Sequence, residues 1–245
     1  MGIQVSISVI VPVLNEEKLI KDTVTRIDRY LKSKFDDYEI IVVNDGSRDR
    51  TALIVSELKN QNAKIKLVNN DVNRGKGFSV KEGMLAAHSD YVLFSDADLS
   101  TPIEELDKFI SYMQQGFDVI IGSRMIKGAD LVKKQGVLRR LMGRVFNLLV
   151  QVLLFRGIID TQCGFKCFKR ECGQRIVVLQ RLERFCFDVE LLFLARKAGY
   201  TIKEVPIRWL NREDSRVGIF TDSLSMFLDL FVIRLNDLKG KYAIK

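Results

Sequence analysis

The sequence predicts an α/β protein built on a mostly parallel sheet with helices on both faces. Three observations carry that prediction. Apolar, β-branched runs alternate with segments of helical periodicity; the runs are apolar at successive positions; and acidic, polar and glycine residues collect where each run ends. Strands apolar at successive positions are buried on both faces, as in parallel sheets covered by crossover helices. With 245 residues, 47% hydrophobic and 29% charged, the chain has the material for such a core, and disorder is not expected.

The first unit is "ISVIVPVL", followed by "NEEKLIKDTVTRIDRYL", in which Ile20, Val24, Ile27 and Leu31 recur at helical spacing. Asn15 is placed to cap this helix, with Glu16 and Glu17 in the first turn, where the helix dipole favours acids. The unit repeats as "YEIIVVND" with a helix over 50–58, "KIKLVNN" with a helix over 77–88, and "YVLFSDAD" with a helix over 103–115; "DVIIGSR" is a further strand.

Open sheets of this kind bind ligands beyond the carboxyl ends of their strands. Those ends carry Pro12 to Glu16, Asn44 to Ser47, Asn73 to Gly77, Asp96 with Asp98, and Ser123 with Arg124. The set combines acids suited to a metal or a base edge, glycines that permit close approach, and cations suited to phosphate. No G-x-G-x-x-G follows the first strand and no G-x-x-x-x-G-K-[ST] occurs, which argues against dinucleotide dehydrogenases and P-loop ATPases. The pair Asp96 and Asp98 has two readings. Two like charges at a strand end call for a divalent cation, since Mg²⁺ is commonly held by one or two carboxylates plus water and phosphate oxygens. Alternatively Asp98 caps the turn and Asp96 is merely solvated.

The four cysteines, Cys163, Cys167, Cys172 and Cys186, match no zinc spacing and read as reduced core thiols. A single histidine, His88, leaves no serine-histidine triad or multi-histidine metal site unless it acts alone. The net charge of +8 is divided unevenly: residues 1–120 hold 15 Lys and Arg against 19 Asp and Glu, and the remainder 24 against 12, a net +12. The second half therefore wants an anionic partner, whether nucleic acid, lipid headgroup or phosphorylated substrate. Its aromatics sit in apolar runs and are not interleaved with the cations, unlike those of an RNA-binding sheet. There is no signal peptide and no uninterrupted run of about 18 apolar residues, so the chain is expected to stay in the cytoplasm.

"VIVPVLNEE", "IIVVNDGSRDRT", "NRGKGFSVKEG" and "LFSDADLSTP" together resemble the family 2 glycosyltransferases of GT-A fold. With "GSR", "DTQCGFKCFKR", "FDVELLFLARKAGY" and "EVPIRW", the likeness narrows to enzymes that load a sugar onto a polyprenyl phosphate, especially the dolichyl-phosphate β-glucosyltransferases and their mannosyl relatives. The resemblance implies one continuous catalytic domain, with a nucleotide-sugar half over 1–125 and an acceptor and membrane-interface half over 126–245. It implies that Pro12, Asn15 and Glu16 form a nucleotide-contacting loop, Asp45 a base or ribose contact, and Lys76 a further donor contact. Asp96 and Asp98 match the motif that holds Mg²⁺ or Mn²⁺ on the donor diphosphate. Arg124, Arg139 and Arg212 match arginines placed around the two phosphates, and Asp160, Gln162 and Lys166 the segment facing the acceptor. Two departures stand out. Mannosyl relatives often have glutamine where this chain has Ser100, a weak metal ligand at best. Eukaryotic glucosyl relatives usually begin with a membrane anchor, so a bacterial or archaeal member, or a shortened chain, is expected.

The implied reaction is metal-dependent, inverting transfer of a hexose to dolichyl or polyprenyl phosphate. Glucose from UDP-glucose is the expected donor; the alternatives are mannose from GDP-mannose to the same lipid, or transfer to a soluble or polysaccharide hydroxyl with Asp160 or Asp188 as general base. A membrane-borne acceptor needs an apolar approach. Residues 139–156 and 219–235 each form a helix about 26 Å long at about 1.5 Å per residue. One polar stripe runs through Arg140, Arg144, Asn147 and Gln151 in the first, and through Asp222, Ser225 and Asp229 in the second. Either segment reads as a core helix or as one lying in a membrane interface; the basic flanks favour the interface for the first. The expected location is the cytoplasmic face of a membrane, peripherally bound.

Overall fold

The computed structural model describes residues 5–132, 137–210 and 221–243. The predicted units form in order: β1 (Ile7–Val13) and α1 (Ile20–Lys34), β2 (Tyr38–Asp45) and α2 (Thr51–Gln61), β3 (Ile65–Asn70) and α3 (Lys76–Ala86), then β4 (Tyr91–Ser95), a 3-10 turn and α4 (Asp107–Gln114). They are followed by β5 (Val119–Ser123), β6 (Asp130–Leu131), α5 (Val137–Leu153), β7 (Phe165–Lys169), α6 (Arg170–Val177), α7 (Phe187–Lys197), β8 (Ile202–Pro206), β9 (Arg208–Trp209) and α8 (Thr221–Leu238).

Seven strands make one sheet in the order β3-β2-β1-β4-β7-β5-β8, and β6 pairs with β9 apart from it. The sheet is parallel except at β7, which runs antiparallel to both β4 and β5. All eight residues of β2 are buried, as expected of a strand covered on both faces. Alternate side chains divide between two cores. Val9, Val11, Ile40 and Val42 pack with α1, α2 and α4, whereas Ile10, Ile41, Val43 and Phe94 pack with α3, α6, α7 and α8. The four cysteines are buried thiols within this structure, as the core reading expected.

β7 positions the site. Because it is reversed, its amino end lies at the carboxyl ends of its parallel neighbours, with Phe165 opposite Ser95. The segment leading into it, "DTQCG", is thereby delivered beside Asp96.

One local expectation is corrected. Asn15 does not cap α1, which starts at Ile20 after a turn closed by the Leu19 and Ile20 amides on the Glu16 carbonyl. Asn15 instead adopts φ 51 and joins two strand-end loops, its amide donating to Ser47 Oγ at 2.9 Å and its Oδ1 accepting from the Arg48 amide at 2.8 Å. The long helices, which the sequence left open between core and interface, pack against each other. Of the polar stripe read in α5, Asn147 is buried, donating to the Ile159 carbonyl. The outward face carries Leu141, Val145, Leu148 and Val152, all at least 50% exposed, while Leu149 and Leu153 are half-buried against the core. α8 follows the same plan, with Met226, Leu230 and Ile233 inward and Leu224, Leu228, Phe231 and Leu235 outward. Among the described residues no helix is long and apolar enough to cross a membrane.

Candidate active site

The first wall of the site is a turn held by a buried acid. Asp45, 4% exposed at the end of β2, accepts from the Arg74 amide at 3.0 Å and the Asn70 side chain at 3.0 Å through one oxygen, and from the Gly75 amide at 2.8 Å through the other. Gly75 sits at φ 107, and a β-carbon there would lie 2.6 Å from the Glu183 carbonyl, so only glycine fits. The next residue, Lys76, opens α3 and donates from Nζ to Asp96 Oδ1 at 2.5 Å. Burial by itself would lower the Lys76 pKa, but the Asp96 and Asp188 carboxylates outweigh it and hold the ammonium above its ordinary value. Beside this turn a cleft of about 650 Å³ opens between Asn15, Asn44, Gly46, Arg48, Asn69 and Asn73, a size suited to a small ligand. Pro12 is the half-buried position of β1, and the Glu16 amide is tied to Thr51 Oγ1 at 2.8 Å.

The second wall is the D-x-D turn. Thr23 Oγ1 donates to the Ala97 carbonyl at 2.6 Å, and the Leu210 amide to the Ser100 carbonyl at 2.7 Å. Leu99, buried, takes φ 49, an uncommon conformation for a leucine that the surrounding bonds maintain. Asp98 accepts from both the amide and the hydroxyl of Ser100, at 2.8 and 2.7 Å. It therefore caps the turn, and Ser100 acts on Asp98. Asp96 lies against Gly164: a β-carbon at that glycine would come within 2.1 Å of Asp96 Oδ2. Asp96 and Asp98 both keep partial exposure and are hard oxygen donors, which suits Mg²⁺ or Mn²⁺. No group of three or more His, Cys, Asp or Glu gathers among the described residues, so an ion here would complete its shell from water and phosphate.

The third wall is cationic. Asp160, 2% exposed, receives the Arg124 guanidinium as a fork, Nε to Oδ2 and Nη2 to Oδ1, each at 2.8 Å, and also the Arg124 amide at 2.9 Å. The guanidinium lies 5.6 Å from the Trp209 ring centre. Burial raises the Asp160 carboxyl, but Arg124 overcomes this and holds it below its ordinary value. Lys166, expected to face the acceptor, has no exposed surface; this is a correction. Its ammonium is shared between Asp188 Oδ1 and the Cys163 carbonyl, each at 2.5 Å, because β7 is an interior strand whose side chains are covered on both sides. Asp188 in α7 is held above its ordinary pKa by burial, against the opposing pull of Lys166 and Lys76. Gln162 is half-buried, its amide nitrogen donating weakly to Met226 Sδ at 3.9 Å on α8. Arg212 and the side chain of Arg139 lie outside the described residues.

Residues 8–176 match the model of glycosyl transferase family 2. The chain belongs to that family. Its curated relatives include the dolichyl-phosphate β-glucosyltransferases of Dictyostelium discoideum, 38% identical over 98% of this chain and 77% of that protein, and of Homo sapiens, 34% identical over 98% and 78%. Solved structures with the same fold include glucosyl-3-phosphoglycerate synthase from Mycobacterium tuberculosis in complex with Mn²⁺, UDP and product, with TM-score 0.66, 18% identity and coverage of 99% of this chain and 81% of that one. Mannosyl-3-phosphoglycerate synthase from Rubrobacter xylanophilus gives TM-score 0.69 at 15% identity, over 97% and 76%. The GT-A fold and the glycosyltransferase class expected from the motifs are thus shown.

Within this glycosyltransferase the structure brings Lys76, Asp96, Asp98, Arg124 and Asp160 near one another at the strand ends. Sequence reasoning passed over Gly164 as the close neighbour of Asp96, and segment 180–184 as the second support of the Lys76 turn. Gly164 had a signal, a glycine beside a buried cysteine in "QCGF". Segment 180–184 had none, because its contacts with the turn, the Glu183 carbonyl on the Phe78 amide and Gln180 on the Gly77 carbonyl, span about a hundred residues and follow no local pattern.

Proposed function

We propose that this enzyme transfers glucose from UDP-glucose to a polyprenyl or dolichyl phosphate, with Mg²⁺ or Mn²⁺ at Asp96 and Asp98 and inversion at the anomeric carbon. The relationship over 98% of the chain to dolichyl-phosphate β-glucosyltransferases carries the reading. In support, Lys76, Asp96, Asp98 and Arg124 all stand at the carboxyl edge of one sheet.

The UDP moiety is assigned to the cleft by Asn15 and Arg48, with Asp45 fixing the turn that aims Lys76 at the diphosphate. When bound, the divalent ion supplies charge stabilisation to the departing diphosphate. A lipid phosphate oxygen attacks the anomeric carbon; the bond to the diphosphate oxygen breaks, and UDP leaves with the electron pair. The nucleophile is already an anion, so no proton has to be removed. The acids present suit such a nucleophile, since Asp160 is paired with Arg124 and Asp188 is buried against Lys166. What the residues must manage is repulsion between two phosphates, about 3 kcal/mol per pair of unit charges at about 5 Å and an effective dielectric of about 20. Arg124 is the natural screen, with Arg139 and Arg212 assigned the same task from the sequence.

The exposed apolar faces of α5 and α8 are assigned to a lipid surface with anionic headgroups, reached peripherally from the cytoplasmic side. Their apolar character suits the acyl boundary, and the net +12 of the second half suits the headgroups. The deciding assay incubates purified protein with MgCl₂ or MnCl₂, a polyprenyl phosphate in vesicles, and UDP-glucose, GDP-mannose or other nucleotide sugars in parallel. Glucolipid from UDP-glucose alone is expected. Product only on a soluble hydroxyl acceptor would overturn the assignment.

A further inference from the structure

We infer that Glu190, acting with Tyr242, is a positioning residue for nucleotide-sugar binding: it fixes the backbone segment 180–184 that props the turn presenting Lys76. This rests on the reading above that Lys76 meets the donor.

Glu190 stands in α7 among Leu191, Leu192 and Leu194 and is 0% exposed. Among the described residues its carboxylate is matched by neutral donors: the Arg181 amide at 3.1 Å to each oxygen, the Leu182 amide at 2.8 Å, and the Tyr242 hydroxyl. Burial pushes the Glu190 carboxyl above its ordinary pKa, against the pull of these hydrogen bonds and the Arg181 charge, so an apolar side chain would fill the space more cheaply. What the acid adds is a geometric constraint on two consecutive backbone amides. That constraint is passed on directly. The Glu183 carbonyl accepts from the Phe78 amide at 3.0 Å and fills the space a side chain at Gly75 would need. Gln180 Nε2 donates to the Gly77 carbonyl at 2.9 Å and to the Leu182 carbonyl at 2.8 Å. Arg74 pairs with Glu183 and lies 3.5 Å from the Phe78 ring centre. The turn 74–78 is thus held on one side by Asp45 and on the other by segment 180–184.

Tyr242 ties this support to the end of the chain. Its ring is fully buried, 6.1 Å from that of Phe193, and Asn236 of α8 donates to its hydroxyl at 3.4 Å. The helix assigned to the lipid surface is therefore joined through two side chains and one loop to the lysine assigned to the donor.

Tyr242→Phe removes one hydroxyl and keeps the ring, and Gln180→Ala cuts the support at its near end. Each should weaken UDP binding in the presence of MnCl₂ about fivefold by calorimetry, the size of one net hydrogen bond. The thermal midpoint should move by no more than about 4 °C, and amide exchange at Phe78 and Leu182 should accelerate. Lys76→Ala combined with Tyr242→Phe should bind UDP no more weakly than Lys76→Ala alone. Wild-type UDP affinity in a folded Tyr242→Phe or Gln180→Ala protein would overturn the inference, as would full additivity in the double variant. Failure of the wild-type protein to bind UDP would instead remove the donor reading beneath it.

Discussion

Replacing Leu148 and Val152 by Asp tests the lipid-facing assignment of α5. The two side chains are 61% and 69% exposed and lie one turn apart on the outward face. Burying a whole Leu or Val yields about 1.5–3 kcal/mol, so immersing the exposed remainder contributes about 1–2 kcal/mol at each position. Losing both removes about 3 kcal/mol of membrane affinity, before the added cost of dehydrating two carboxylates. Flotation with anionic vesicles should fall at least about 100-fold in partition coefficient, and transfer to long-chain polyprenyl phosphate with it. Because neither side chain touches the core, folding stability should change by no more than about 0.5 kcal/mol, and UDP should bind as before. Leu149→Asp with Leu153→Asp, directed at the half-buried side, should instead unfold or aggregate the protein. Undiminished flotation by a stable Leu148→Asp/Val152→Asp protein would refute the assignment; so would a Leu149→Asp/Leu153→Asp protein that folds normally and loses only flotation.

Asp96→Asn and Asp98→Asn should each abolish transfer, Asp98→Asn the more severely, and Asp98→Asn should also cost about 1 kcal/mol in urea unfolding because it weakens the cap on Ser100. Full activity of either variant in EDTA would defeat the metal reading. Gly164→Ala should lower turnover strongly, since its methyl would lie 2.1 Å from Asp96 Oδ2; wild-type kinetics would mean that Asp96 has freedom to move. Asp160→Asn should destabilise the protein by about 3–5 kcal/mol near neutral pH by leaving Arg124 unpaired. With the folded-state pKa of Asp160 below its unfolded value, the unfolded chain takes up the proton first as pH falls through about 4, so wild-type stability drops there and its advantage over the variant shrinks. A difference in thermal midpoint that stays constant from pH 3 to pH 7, a range chosen to span that transition of about pH 4, would refute the pairing.

The parallel units were legible because each was written locally: an apolar run, a turn, and a helix with its own period. The place of Asp96 and Asp98 was legible for the same reason, two acids at the end of a run. β7 was not, since "FKCFK" is short and interrupted by lysines, and nothing local marks a strand that reverses between two parallel neighbours. Lys166, which the resemblance put in the segment facing the acceptor, is buried, and it is Asp188 on a distant helix that makes its burial possible. The rotation of α5 was not legible either. An alternation of polar and apolar residues says that a helix has two faces but not which one meets protein, and Asn147 faces inward because the Ile159 carbonyl takes its amide proton.

The three cation–carboxylate pairs explain why a site rich in acids is suited to an acceptor that needs no base. A hydroxyl acceptor requires a carboxylate free to take a proton. Asp160 is spent on Arg124, Asp188 on Lys166, and Asp96 shares one oxygen with Lys76. The same pairing prepares the cations for use. Asp160 occupies the Nε and Nη2 edge of the Arg124 fork, while the side chain remains 24% exposed, so the Nη1 edge is fixed in place before a second anion arrives. A guanidinium held this way loses little freedom on meeting phosphate, which is the condition under which a fixed charge stabilises a transition state more than a mobile one does. Asp160 and Asp188 are therefore anchors in this structure, each holding a cation in place.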